Sequence, residues 1–310
     1  MHSIRLIPAE KIDPFLWDRR VASSEDGLIY SCMDYLNAVC ENWMGLVLNN
    51  YEVVMALPFK SKPGFRYWYT PPFVQQLGFV GLYNLPAPEQ AQLMQEMISL
   101  IVQQFTYGSL LLNHCNTAAA LFNGVVAKPN YTLDLHRPYQ QIYNGYSADL
   151  KQNIRKAKRA APLYCNAIPI ETAIELFMQH HAHQSGHIRK KQYRAFTALC
   201  IHVLAERKQC FTRSVLNSRQ EIESVALLLK DGRRIYNLMN TTTAAGRQNE
   251  ANHFLLDQLI QEFAEDALLL DFEGSAIPGV QSFYRKFGAA AETYYLYHYN
   301  RLPFPLSLLK

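Results

Sequence analysis

Between Asp271 and Gly288 the chain reads DFEGSAIPGVQSFYRKFG, directly after the leucine run Leu268 to Leu270. Asp271 and Glu273 stand two apart, and residues two apart on a strand share a face. A carboxylate that follows a buried strand loses hydration and holds its proton more tightly, which suits proton transfer near neutrality. Glu273 is therefore the best candidate base, with Asp271 and His253 behind it. A salt bridge from Glu273 to Arg285, or a helix-capping contact, is its structural alternative. Upstream, TTTAAGRQNEANHF (Thr241 to Phe254) is small and polar. Little side-chain bulk lets main-chain N–H groups approach a bound anion, and Arg247 adds a charge. A plain polar turn is the competing reading.

The stretch HHAHQSGH supplies His180, His181, His183 and His187. Three of them share a helical face at a spacing that suits zinc. Gly186 breaks that helix, however, and no cysteine or acid completes the set, so no metal is expected.

These groups need elements to hold them. At 310 residues the chain is long enough for two domains of about 150 residues each. Its 49% hydrophobic and 18% charged content supports a sizeable core. A net charge of +4 permits a phosphate-bearing ligand but does not argue for a general nucleic-acid binder. The six cysteines contain no CxxC spacing and read as free thiols of a reducing compartment. The N-terminal MHSIRLIPAEKIDPFLW lacks a signal-peptide pattern, and no apolar run reaches the ~18 residues of a membrane span. A soluble, cytoplasmic protein without membrane association is expected.

Two segments share one layout. Val47 to Lys60 and Val215 to Thr241 both open on V-L-N, turn, and return as apolar strands. A helix follows each, ending at Phe105 or Phe263, and then a leucine triplet: Leu110 to Leu112, or Leu268 to Leu270. Phe254, Leu255, Leu259 and Phe263 recur at helical spacing. The order strand–strand–strand–helix–buried strand thus occurs twice, in an α/β fold with mixed sheets. Between the halves, YSADLKQNIRKAKRAAP has Ser147 as N-cap and Asp149 in the first turn. Leu150, Ile154 and Ala157 make its apolar stripe; Lys151, Arg155, Lys158 and Arg159 make a basic one. The boundary is expected near residue 145, giving domains 1–145 and 146–310. FRYWYTPPF (Phe65 to Phe73) reads as core or domain-interface packing rather than a ligand platform.

Three strands, a helix, a buried strand and a short helix bearing Y-x-x-x-G resemble the acyltransferase fold of the GNAT superfamily. Two in tandem resemble the Fem-type aminoacyltransferases, most closely in NIRKAKRA (Asn153 to Ala160) and LLLDFEGSAIPGVQSFYRKFGA. The resemblance covers residues 145 to 300 well and the first half in layout. It implies that Tyr284, in Y-R-K-F-G, is the general acid for the leaving group. It implies a binding site for acetyl-CoA or another acyl-CoA in which main-chain N–H groups near Asn240 and Thr241 donate to the acyl carbonyl oxygen, and Gly246, Arg247, Gln248 and Asn249 form the phosphate loop. The second glycine of that loop pattern is replaced by Gln248 or Asn249, a departure shared with Fem-like proteins, which use aminoacyl-tRNA.

The expected function is therefore N-acyl transfer from acyl-CoA to a small-molecule or peptide amine, catalysed by the second domain with Tyr284, Glu273 and Asp271. The first domain lacks Y-x-x-x-G after its leucine strand and is expected to be non-catalytic. The alternatives are an aminoacyl-tRNA-dependent transferase acting on a cell-wall precursor or protein N-terminus, with tRNA on the basic helix 151–159, and a degenerate, non-catalytic ligand-binding protein.

Overall fold

The computed structural model describes residues 3–181, 188–274 and 277–309. The chain forms two compact units, Met1–Lys128 with Thr293–Lys310, and Pro129–Glu292.

In the first unit, β1 (Ile4–Pro8), α1 (Pro14–Ser23) and α2 (Met33–Val39) precede three strands, β2 (Trp43–Leu48), β3 (Val53–Lys62) and β4 (Phe65–Tyr69). A two-residue β5 (Phe79–Val80) pairs with β3. Then come α3 (Ala87–Gln104) and β6 (Tyr107–Leu112). Neighbours from β1 to β4 are antiparallel, and β4 and β6 are parallel. On α3, Met94, Met97 and Ile101 recur every three or four residues and are fully buried. Trp68 is likewise buried and packs on Phe105, Tyr297 and Tyr299, so it is the residue by which the aromatic β4 joins the core of this unit.

In the second unit, β7 (Val125–Asp134) is followed by α4 (Tyr139–Asn144), α5 (Ala148–Arg159), β8 (Leu163–Cys165), α6 (Ile170–His181) and α7 (Lys190–Leu199). A π-helical turn, Cys200–Leu204, continues α7. Then β9 (Cys210–Leu216), β10 (Ile222–Lys230) and β11 (Arg234–Thr242) form an antiparallel meander. After α8 (Ala244–Gln248) and α9 (Ala251–Glu262), β12 (Leu269–Asp271) lies parallel to β11. α10 (Pro278–Arg285) completes it, and β13 (Ala290–Asn300) begins at its end and belongs from Thr293 onward to the first unit. Ser147 caps α5 as expected, accepting from Leu150 N, and Leu150, Ile154 and Ala157 are its buried face. Phe254, Leu255 and Leu259 of α9 join the same core as Leu270 and Phe272. The fold is the expected tandem α/β arrangement, with a parallel pair closing each meander.

The units divide the chain differently from a cut at residues 145/146. The strand beside β6 is Tyr295–Asn300 of β13, and the strand beside β12 is Thr132–Asp134 of β7. Each parallel pair thus takes its outer partner from a distant part of the sequence. Hydrogen-bonding edges do not register chain proximity, so a reading of local pattern has no access to this exchange.

Candidate active site

The parallel pairing of β11 with β12 lasts only from Arg234–Leu269 to Tyr236–Asp271, while β11 runs on to Thr242. Where strands part, side chains and main chain lose their neighbours and a cleft opens. A cavity of about 450 Å³ occupies this region. Asn237, Asn240 and Thr242 of β11 line it, with Asn252 of α9, Arg247 of α8, His180 and His181 of α6, and Val280, Phe283 and Tyr284 of α10.

A β-bulge builds the polar wall. Leu227 pairs with Met239 and Leu229 with Tyr236, so two steps along β10 match three along β11. On a regular strand, residues 237 and 240 would face opposite sides. The extra residue brings them to one face, and Asn240 donates to Asn237 Oδ1 at 3.4 Å. Thr242, two residues on, joins them; Thr241 points the other way and is buried. The Oδ1 of Asn252 is buried without a hydrogen-bond partner among the described residues, leaving an acceptor in the cavity wall. Asn237 and Asn252 were not singled out in the sequence. The signal for Asn237 was there, an asparagine inside the apolar strand RIYNLM, but only the bulge aims it.

Opposite, Tyr284 stacks on Phe272 with ring centroids 4.6 Å apart and planes at 23°. Burial, and then the carboxylates of Glu273 and Asp271, push the Tyr284 phenol well above its ordinary pKa, so it carries its proton throughout the neutral range. Phe287 is fully buried against Phe272, Phe283 and Tyr146 and fixes the end of α10. Gly288 follows at φ +77°, a left-handed turn that favours glycine.

The two acids do not share a strand face. β12 stops at Asp271, and Glu273 takes a left-handed φ of 61°. Asp271 is buried and fully engaged: Oδ1 accepts from Asn130 Nδ2 at 3.0 Å and Glu273 N at 2.9 Å, and Oδ2 from the Arg234 guanidinium at 2.9 Å. Arg234 also pairs with Glu292 at 2.8 Å. Asp271 is thus ion-paired, hydrogen-bonded through both oxygens and not among the cavity-lining residues, which makes it a positioning group for the strand end. Glu273 is half-buried and acts on Tyr284 electrostatically, but is not among the cavity-lining residues. His253 lies outside the lining as well, its Nδ1 3.1 Å from Glu250 and its ring edge-on to Phe283. Burial lowers its pKa, partly offset by Glu250. The expected partner of Glu273, Arg285, instead donates to the Tyr131 hydroxyl at 2.7 Å.

The loop after β11 is not an open anion cradle. Thr243 caps α8, accepting from Gly246 N at 3.1 Å, and the N–H groups of Thr243, Arg247 and Asn249 go to Glu223, Thr243 and Ala245 oxygens. Gly246 presses on β10: a Cβ there would stand 2.1 Å from the Glu223 oxygen. Its glycine is thus explained by packing rather than ligand approach. Asn249 donates to Glu223 Oε1 at 2.6 Å, and Gln248 is exposed outside the cavity lining. Of the expected donor-site residues, Asn240 and Arg247 reach the cavity; Thr241, Gly246, Gln248 and Asn249 do not. Four of the loop's main-chain N–H groups, those of Thr243, Gly246, Arg247 and Asn249, are thus engaged within the protein rather than turned to a ligand. The first unit's loop before α3 is satisfied internally too, with Gly81, Leu82 and Tyr83 N–H groups donating to the buried Asp26 carboxylate.

Of the histidine cluster, His180 and His181 line the cavity, while His183 and His187 lie outside the described residues. Among the described residues there is no group of three or more histidine, cysteine or acidic side chains placed to hold a metal. No described helix is long and apolar enough to cross a membrane.

Residues 145–278 match the family described as Acetyltransferase (GNAT) domain. The match lies wholly within the second unit. Whole-chain similarity in structure points the same way. FemX superposes with a TM-score of 0.68 at 14% identity, covering 98% of this chain and 99% of that one. L-PGS from Bacillus licheniformis gives 0.53 at 11% identity, covering 96% and 95%. A conserved protein of unknown function from Bacteroides thetaiotaomicron gives 0.56 at 10%, covering 96% and 99%. At such identities these likenesses speak for the fold, a tandem Fem-like GNAT arrangement. A search by sequence among curated proteins gives no match.

Proposed function

We propose that the second unit transfers an acyl group to an amine, with an aminoacyl ester of tRNA as donor. The observation that carries this reading is Tyr284, a protonated phenol in the cavity opposite the Asn237–Asn240–Thr242 wall. The amine nitrogen attacks the ester carbonyl carbon, a C–N bond forms and the C–O bond to the ribose breaks. Tyr284 gives its proton to the departing oxygen and regains one from the proton the amine loses. Asn240 and Thr242 supply polar contacts for the acyl carbonyl, and Asn252 Oδ1 accepts from an N–H of the aminoacyl group or the acceptor. No base is assigned from Glu273 or Asp271.

The loop favours an ester of tRNA over a CoA thioester, because the main-chain N–H groups of Thr243, Gly246, Arg247 and Asn249 already have acceptors within the protein. α5 adds support. Lys156 pairs with Glu250 at 2.9 Å and Asn153 lies 3.3 Å from His253, which seats α5 beside the start of α9. Arg155 and Arg159 remain exposed on that helix and are available to phosphates. The second reading, an acyl-CoA donor, is favoured by the GNAT family match over residues 145–278.

The test is calorimetric titration of the purified protein with acetyl-CoA up to about 1 mM, beside a binding assay with aminoacyl-tRNA. Binding of tRNA that weakens on Arg155→Ala with Arg159→Ala supports the proposal. Saturable acetyl-CoA binding without tRNA binding replaces it with the second reading. Neither ligand binding would leave the non-catalytic alternative.

A further inference from the structure

A second cavity in the same unit, of about 390 Å³, lies between α6 and α7 and the π-helical turn. Its floor is apolar: Ile174 and Met178 of α6, Ile201 of the turn, and the ring of Tyr193. Its charged residues are divided by helix. Glu171 and Glu175 come from α6, four residues apart on one face. Lys190 and Arg194 come from α7, also four apart. All four are exposed, and among the described residues no ion pair joins either acid to either cation. Acids and cations that face one cleft and leave it open hold a field across it. The ligand that such a field orients carries both charges.

The turn adds a second mark. Cys200–Leu204 bonds in π fashion, with Ala205 N donating to Cys200 O at 2.8 Å. A π segment inserts an extra residue into a helix at an energetic cost, and such segments occur frequently at functional sites. Here the residues it presents to the cleft are Ile201 and His202.

We propose that this cleft binds a small zwitterion with an apolar body: an α-amino acid such as leucine, or a short apolar peptide. The ammonium group faces Glu171 and Glu175, the carboxylate faces Lys190 and Arg194, and the aliphatic side chain rests on Ile174, Met178 and Ile201. Removing the ammonium leaves the acids unanswered, and removing the carboxylate leaves the cations so; each half-ligand therefore binds less well. α6 also carries His180 and His181 to the acyl cavity, so one helix serves both sites. The proposal does not depend on the donor used for acyl transfer.

The full chain is titrated by calorimetry with L-leucine, with Leu-Leu, and with two half-ligands, isoamylamine and isocaproate. The expected result is saturable leucine or Leu-Leu binding about tenfold or more tighter than either half-ligand. The tighter of the two zwitterions identifies the source. Glu171→Gln with Glu175→Gln, and separately Arg194→Gln, should weaken binding about tenfold, and Ala198→Trp should abolish it by filling the cleft. These positions are exposed, so the variants fold, which thermal melting checks. The proposal is overturned if neither zwitterion binds, if isoamylamine or isocaproate binds as tightly, or if Ala198→Trp retains full affinity.

Discussion

A Cβ on Gly246 would stand 2.1 Å from the main-chain oxygen of Glu223, so the helix after β11 can seat on β10 only with glycine at this point. The contact is with backbone, which cannot swing aside. Gly246→Ala should therefore destabilise the protein by about 1–3 kcal/mol through overpacking. Chemical denaturation measures this. An unchanged midpoint, with weakened donor binding instead, would return Gly246 to the ligand.

Tyr284→Phe removes the proposed acid and keeps the stack on Phe272. Turnover should fall about tenfold or more, while melting temperature stays near that of the parent. Because burial raises the phenol, the parent should not lose this acid on the alkaline side until above about pH 10. Stability carries the same sign. The unfolded phenol ionises first, so the contribution is present below about pH 10 and is lost as pH rises toward the folded value. A pH–rate profile falling near neutrality in a Tyr284-dependent manner would contradict the assignment.

Arg234→Met leaves the buried Asp271 without its cation. A broken buried pair typically costs about 3–5 kcal/mol. Glu292 and Asn130 sit in the same cluster, so the loss should exceed that of Lys156→Met, whose pair with Glu250 is half exposed. Urea titration of the two variants settles the order.

In the first unit, Asp26→Ala should cost about 3 kcal/mol or more, because the N–H groups of Gly81, Leu82 and Tyr83 lose their acceptor. Hydrogen exchange should locate the loosening at residues 81–83. Uniform loosening of the unit, with those amides unchanged, would show that the carboxylate is not what holds the loop.

Exchanging both Arg155 and Arg159 for alanine removes two proposed phosphate contacts. The salt dependence of tRNA binding should flatten, with the slope of log K against log salt falling by about one per contact. A slope equal to the parent's would place the nucleic acid elsewhere.

Local chemistry was legible in the sequence. The repeated strand–strand–strand–helix–strand order follows from periodicity, which each segment sets by itself: Met94, Met97 and Ile101 on one helix, Phe254, Leu255 and Leu259 on its counterpart. Ser147 as a cap and the end of the last helix before Gly288 are likewise decided within a few residues. Tyr284 was picked out by the resemblance of Y-R-K-F-G to the GNAT pattern.

What the sequence could not decide were relations between residues far apart along it. Asp271 looked like a base beside Glu273, until Arg234, 37 positions away, took one of its oxygens. Gly246 looked like room for a phosphate, until β10 filled that room. Asn237 and Asn240 share a wall because β10 and β11 pair with a one-residue mismatch, and β7 and β13 find their partners in distant strands. Hydrogen-bond geometry and close packing select among contacts that a linear pattern leaves equal. The residue types of the site are thus written in the chain, and their orientation toward one cavity is set only when the strands meet.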